Sequence, residues 1–122
     1  MSNIAHKAPW VSFCMSTYKR AELLEKTLLT ISAQTFADFE VVISDNDPEG
    51  SAEAVVKKMN DPRLKYFCNG DNLGMIKSFN KSIERASAEY VVMITDDDPV
   101  YPMMVQTLYD LAQKFPGYGV YH

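Results

Sequence analysis

The sequence predicts an α/β fold, with a mostly parallel sheet and helices on both of its faces. Apolar runs of four to six residues alternate with longer segments of helical period, the pattern of repeated strand–helix units. The length of 122 residues and the hydrophobic content of 47% are enough for one core without disulfide or metal staples. We therefore expect a short tail at 1–9 and a single domain at 10–122.

Five strands and four helices follow from the same pattern. The predicted strands are Trp10–Met15, Phe39–Ser44, Leu64–Cys68, Tyr90–Ile94 and a short one that begins at Gly119. The predicted helices cover about Ala21–Gln34, Ser51–Met59, Met75–Ala86 and Pro102–Phe115. The unbroken apolarity of the fourth strand predicts that it is buried on both faces.

Charge and cysteine usage narrow the class of protein. Twelve Lys and Arg against sixteen Asp and Glu give a net charge of −4 without a basic block, so nucleic acid is not expected as a partner. Cys14 and Cys68 lie in apolar runs, which predicts reduced core thiols of a cytosolic protein. The tail has no apolar run long enough for a signal peptide or membrane span. We expect a cytoplasmic location, at the inner face of the membrane if a longer native protein carries an anchor.

Polar residues follow the ends of the first four strands, where open α/β sheets bind ligands. These segments are Ser16–Arg20, Asp45–Asp47, Asn69–Gly74 and Thr95–Asp98. Three adjacent carboxylates in the last segment repel one another unless a cation compensates them. Oxygen ligands without a nearby His or Cys favour Mg²⁺ or Mn²⁺, so we expect one of these ions there.

Capping and turn formation are the alternative explanation for several of these residues. Asp98 would suit the N-terminus of the helix that follows it. Asp45 and Asp47 would suit ordinary turn positions before the second helix. Tyr18, taken singly, is equally well explained as a core or surface aromatic.

In their order and spacing, these segments resemble the opening of a family 2 glycosyltransferase with the GT-A fold. The resemblance covers about residues 10 to 122. The segments that carry it are Val11–Arg20, Leu23-Leu24, Thr27-Leu28, Ile31, Gln34–Phe36, Phe39–Asp45, Asn72–Gly74, Asn80 and Ala88–Asp98.

The resemblance implies a nucleotide-sugar site. Residues at the Ser16 and Tyr18 positions line the base in this family, and the acid at the Asp45 position accepts a hydrogen bond from a base nitrogen. The implied nucleotide contacts in this chain are Ser16, Tyr18, Asp45, Asn72, Gly74, Asn80 and Asp96.

The same resemblance aligns Thr95-Asp96-Asp97 with the DxD motif, with Thr95 in place of the first acid. Asp97 is then the implied ligand of Mn²⁺ or Mg²⁺, and Asp98 takes this role if the alignment is displaced by one residue. The implied reaction is inverting transfer from a nucleoside-diphosphate sugar, most simply a UDP-sugar, to a saccharide or lipid-linked acceptor in cell-surface polysaccharide synthesis. The catalytic base comes from a later segment in this family, so we expect no catalytic residue and no turnover in this chain.

Other classes of protein fit less well. A phosphoacceptor receiver domain needs an acidic pair where this chain has Ser16-Thr17, and a sugar-phosphate nucleotidyltransferase needs a Gly-rich loop where residues 16–20 have no Gly. GxGxxG and Walker loops are absent from the sequence. A non-catalytic nucleotide-binding module stays open as an alternative.

Self-association is a further expectation. The strand from Gly119 would offer an open sheet edge, and the fourth strand and last helix would add apolar surface. The side chains that form this surface are Met103, Met104, Val105 and Leu108. We expect a two-fold homodimer.

Overall fold

The computed structural model describes residues 9–97 and 103–114, which form a parallel sheet with helices on both faces. The elements are β1 (Val11–Thr17), α1 (Ala21–Ser32), β2 (Phe39–Asp45), α2 (Glu53–Met59), β3 (Leu64–Cys68), α3 (Met75–Glu84), β4 (Tyr90–Met93) and α4 (Met104–Lys114). The predicted fold class is confirmed. The strand expected from Gly119, like Asp98, lies outside the described residues.

The sheet has the strand order β3-β2-β1-β4, and every pairing in it is parallel. Thr17 of β1 is in register with Asp45 of β2, which is in register with Cys68 of β3. The carboxyl ends of these three strands therefore lie side by side, and the loops that follow them meet at one edge of the domain.

One face of the sheet carries the hydrophobic core. Alternate residues of β1 and β2, such as Phe13 and Val41, pack with Leu28 of α1, Val56 of α2 and Val105 of α4. Each fully buried side chain of this kind contributes about 1.5–3 kcal/mol. Within 9–97 and 103–114, no helix combines the length and apolarity needed to cross a bilayer.

The other face is covered by α3 through small polar side chains. Ser78 and Ser82 are its buried residues, and the Cys14 thiol donates to the carbonyl oxygen of Ser82 at 3.6 Å. Burial raises the pKa of Cys14 to about 11, so it stays a neutral thiol at pH 7. The predicted core position is confirmed for Cys14, which is free and buried. It is wrong for Cys68, which is also free but is exposed at the end of β3.

The prediction that the fourth strand is buried on both faces is wrong. β4 is at the edge of the described sheet, and its side chains alternate between half-buried and exposed. Val91 and Met93 are 39% and 62% exposed. An apolar run in the sequence shows that a strand is hydrophobic, but it does not show which of its two faces other elements cover. The pattern therefore could not distinguish an edge strand from a central one.

The surface expected to drive dimerisation is only partly exposed. Val105 is fully buried in the core, whereas Met93 and Met103 are 62% and 60% exposed. Self-association through this smaller surface stays a prediction. Sedimentation velocity should show a dimer that grows with concentration, and a single monomeric species up to about 100 µM would contradict it, since a micromolar interface is populated there.

Candidate functional site

A cavity of about 360 Å³ opens at the carboxyl ends of the central strands. Its size is within the range of small-molecule sites. The residues that line it are Ser16, Thr17, Tyr18, Arg20, Asn46, Asn72, Met75 and Asp96. Four of these, Ser16, Tyr18, Asn72 and Asp96, are among the nucleotide contacts implied by the sequence, so the fold brings together residues up to 80 positions apart.

The end of β1 supplies one wall of the cavity. Ser16 donates its hydroxyl to Ser78 of α3 at 2.6 Å, which fixes its rotamer. Tyr18 is 41% exposed, and the Lys19 ammonium lies 5.4 Å from the centre of its ring. Lys19 has a left-handed backbone with φ of 54°, which turns the chain sharply between β1 and α1. The turn leaves the Tyr18 ring at the surface and places Arg20 at the N-cap of α1.

Asn46 organises the opposite wall. Its side-chain oxygen accepts from the backbone N–H of Leu73 at 2.9 Å and from the Asn69 amide at 3.1 Å. Its side-chain nitrogen donates to Asn72 at 3.0 Å, and its backbone N–H donates to the carbonyl of Thr17 at 2.8 Å. With only 3% of its surface exposed, Asn46 ties the 69–74 loop to the ends of β1 and β2.

Asp45 is fully buried at the end of β2. Its Oδ1 accepts from the Asp47 N–H at 3.0 Å, and its Oδ2 accepts from the Ala52 N–H at 3.0 Å and the Tyr66 hydroxyl at 2.7 Å. Burial, followed by the hydrogen bond and charge of Asp45, raises the pKa of Tyr66, so the phenol remains a donor. This geometry favours the turn interpretation of Asp45 over a contact with a base.

Two acids after β4, Asp96 and Asp97, are paired with Arg20. The guanidinium donates to both carboxylate oxygens of Asp96 through Nε and Nη2, and its Nη1 donates to Oδ2 of Asp97 at 3.3 Å. Thr17 donates its hydroxyl to Oδ2 of Asp96 at 2.9 Å. We expected a metal ion to compensate these carboxylates; for Asp96 and Asp97, the compensating cation in this structure is a side chain.

Asp96 and Asp97 are the described acids directly after β4 that a divalent ion could meet. The described residues contain no group of three or more His, Cys, Asp or Glu side chains that could hold a metal. Asp96 is 1% exposed, and both of its oxygens accept hydrogen bonds. Asp97 is 45% exposed, so it is accessible as a single carboxylate ligand. Mg²⁺ and Mn²⁺ bound together with substrate phosphates need only one or two carboxylates, and Asp97 fits that requirement.

Several residues implied by the resemblance are not in the cavity wall. Gly74, with φ of 85°, is the N-cap of α3, and its N–H donates to Asn72 at 3.0 Å. Asn80 is exposed on α3 and is not among the residues that line the cavity. Asp97 does not line the cavity, but it accepts a hydrogen bond from Arg20, which does.

Four of the eight residues that line the cavity, Thr17, Arg20, Asn46 and Met75, were not among the predicted contacts, and neither was Ser78, which holds Ser16. Arg20, Asn46 and Ser78 contact partners up to 77 positions away, so no local pattern marks them. The available signal was position: Arg20 and Asn46 lie in segments that follow strands, where ligands bind in this kind of sheet.

Comparison with known proteins identifies the family. The profile of Glycosyl transferase family 2 matches residues 12–121, and the chain belongs to this family. The GalNAc(5)-diNAcBac-PP-undecaprenol beta-1,3-glucosyltransferase of Campylobacter jejuni is 32% identical over 114 residues, which are 91% of this chain and 36% of the relative. This chain spans about a third of the length of the curated relatives that it matches.

Solved structures share the fold. S. aureus TarS 1-349 in complex with UDP-GlcNAc superposes with a TM-score of 0.78 at 22% identity, over 93% of this chain and 37% of that one. The mannosyltransferase PcManGT from Pyrobaculum calidifontis, in complex with GDP-Man and Mn²⁺, gives a TM-score of 0.66 at 25% identity, over 77% of this chain and 29% of that one.

Proposed function

We propose that this chain is the donor-binding half of an inverting glycosyltransferase, and that it binds a nucleoside-diphosphate sugar with Mn²⁺ or Mg²⁺. The observation that carries the proposal is the cavity, which gathers Ser16, Tyr18, Asn72 and Asp96 at the carboxyl ends of the strands. Polar groups converging on a cleft at this edge are typical of nucleotide sites in α/β folds.

The side chains of the cavity divide into an aromatic and a polar set. The exposed ring of Tyr18 offers a flat surface on which a base stacks. Asn72, whose oxygen accepts from Asn46 and from the Gly74 N–H, keeps its amide nitrogen as a donor toward the base or ribose. Asp96, held in place by Thr17 and Arg20, lines the cavity where we place the ribose. Asp45 acts through the loop that it stabilises.

Asp97 is the residue that would hold the metal, and Asp98 is the alternative ligand. When bound, the ion supplies positive charge that stabilises the departing nucleoside diphosphate. Arg20 lies beside Asp97, so a second positive group is near the same position. The chain's own part is to place these charged groups beside the cavity.

We assign the acceptor site and the catalytic base to sequence outside this chain, because the relatives are about three times its length. The name of the C. jejuni relative describes transfer to an undecaprenol-linked saccharide, and TarS is solved with UDP-GlcNAc. We therefore propose a UDP-sugar donor and a saccharide or lipid-linked acceptor, in cell-surface polysaccharide synthesis at the cytoplasmic side of the membrane.

Calorimetry tests the donor-binding claim. UDP titrated into the chain with Mn²⁺ should bind at least ten-fold more tightly than with a chelator, a difference of about 1.4 kcal/mol. UMP should show a smaller response to metal, because it lacks the second phosphate. Equal UDP affinity in both conditions would reject the metal, and the absence of binding by UDP, GDP and ADP at millimolar concentration would reject the function.

A further inference from the structure

Arg20 lines two neighbouring cavities at this edge of the domain. One is the 360 Å³ cavity above, and the other, of about 640 Å³, lies on the side of Lys19, Asp47 and Ser51. The Arg20 side chain is 46% exposed, so part of it borders solvent as well as its carboxylate partners. It can change partners without displacing the core.

The two contacts of Arg20 differ in strength. The contact with Asp96 is bidentate and its acceptor is 1% exposed, whereas the contact with Asp97 is a single bond of 3.3 Å between side chains that are almost half exposed. Two parallel bonds to a desolvated carboxylate hold a guanidinium firmly, and a single exposed ion pair is weak. Arg20 therefore has one fixed partner and one exchangeable partner.

We propose that Arg20 is a resident counter-cation that competes with the divalent metal for Asp97, keeps Asp96 as its own partner, and turns its freed Nη1 toward the diphosphate when the metal binds. Charge supports this exchange. One guanidinium against two carboxylates leaves a net charge of −1, and a divalent ion changes it to +1, which attracts a diphosphate. The proposal rests on the metal-dependent function above.

The exchange makes metal alone a poor ligand of the free chain. A divalent ion at Asp97 must displace the Nη1 contact and tolerate a guanidinium a few ångströms away, and only a bound diphosphate offsets that repulsion. Removing the charge of Arg20 should therefore strengthen the binding of metal in the absence of nucleotide.

Mn²⁺ alone is the probe, and its affinity is measured by the electron paramagnetic resonance signal of the free ion. Arg20→Met should bind Mn²⁺ about ten-fold more tightly than the unmodified chain, because the repulsion between the two cations is lost. Arg20→Gln removes the charge but keeps a donor toward buried Asp96. If Arg20→Met does not fold, the Mn²⁺ affinity of Arg20→Gln is compared with that of the unmodified chain instead. Arg20→Lys keeps the charge and should restore the weak affinity.

Two further variants separate this exchange from a general effect of losing an arginine. Arg63 makes a similar bidentate contact with Asp61, at the β3 end of the domain remote from β4, and Arg63→Met should leave Mn²⁺ affinity unchanged. Asp97→Asn combined with Arg20→Gln should abolish the gain. The thermal midpoint should rise more with Mn²⁺ in Arg20→Gln than in the unmodified chain, since a tighter ligand stabilises the folded state more.

Unchanged or weaker Mn²⁺ binding by folded Arg20→Gln would overturn the proposal. Its failure is distinguishable from that of the proposed function. Metal-dependent UDP binding with no effect of Arg20→Gln would reject only the exchange. Tighter Mn²⁺ binding by Arg20→Gln in a chain that binds no nucleotide would reject only donor binding.

Discussion

Replacing Asp45 with alanine should lower the free energy of unfolding by at least about 3 kcal/mol, because each buried donor left without its acceptor costs about 1–3 kcal/mol. Three donors lose their acceptor in this variant: the N–H groups of Asp47 and Ala52, and the hydroxyl of Tyr66. Typical domains are stable by only 5–15 kcal/mol. Urea denaturation followed by circular dichroism measures the loss directly.

Two variants serve as controls for this result. Tyr66→Phe removes one of the three hydrogen bonds and should cost about 1 kcal/mol. Asp38→Asn makes the same change of charge at an exposed position and should stay within about 0.5 kcal/mol. A stability loss below about 1 kcal/mol for Asp45→Ala, together with UDP binding weakened at least ten-fold, would instead assign Asp45 to the base.

Replacing Asp97 with asparagine should remove the metal dependence of UDP binding. The substitution keeps the shape of the side chain but removes the accessible carboxylate, so we expect similar UDP affinity with Mn²⁺ and with a chelator. The fold should be little affected, since the Arg20–Asp97 pair is almost half exposed and such pairs contribute about 0.2–1 kcal/mol. Calorimetry under the conditions used for the unmodified chain measures both affinities.

Asp110→Asn is the matched control, because Asp110 is an exposed acid on α4 and the change of charge is the same. It should leave the metal dependence intact. Full metal dependence retained by Asp97→Asn would move the ligand to another residue, and Asp98→Asn would be the next variant to measure.

The architecture was predictable because it depends on local patterns. The strands have four to seven residues and the helices seven to twelve, and each type has its own spacing of apolar residues in the sequence. The predicted elements therefore match those described to within a few residues at each end. Strand ends were less accurate: Ser16 and Thr17 continue β1, although their polarity suggested a loop. Their backbone pairs with β2, and the spacing of apolar residues within one segment does not indicate how far such pairing extends.

The partners of polar side chains were not predictable in the same way. The three acids after β4 suggested a need for positive charge, but the Arg20 that meets two of them is 76 and 77 positions earlier. For Asp45, the sequence suggested a ligand as partner where the fold supplies groups of the protein itself. The position of Asp45 after β2 suggested a ligand contact, and only the folded chain brings Tyr66 and Ala52 onto its oxygens.

Nuclear magnetic resonance mapping of UDP binding tests the central claim, that the cavity at the carboxyl ends of the strands is a nucleotide site. With Mg²⁺, UDP should shift the backbone amide signals of residues 16–20, 46, 69–75 and 96–97, which form or border this cavity. Shifts confined to Lys57, Asn60 and Tyr66, around the separate cavity of about 730 Å³ between α2 and β3, would contradict the account. So would the absence of any shift at millimolar UDP.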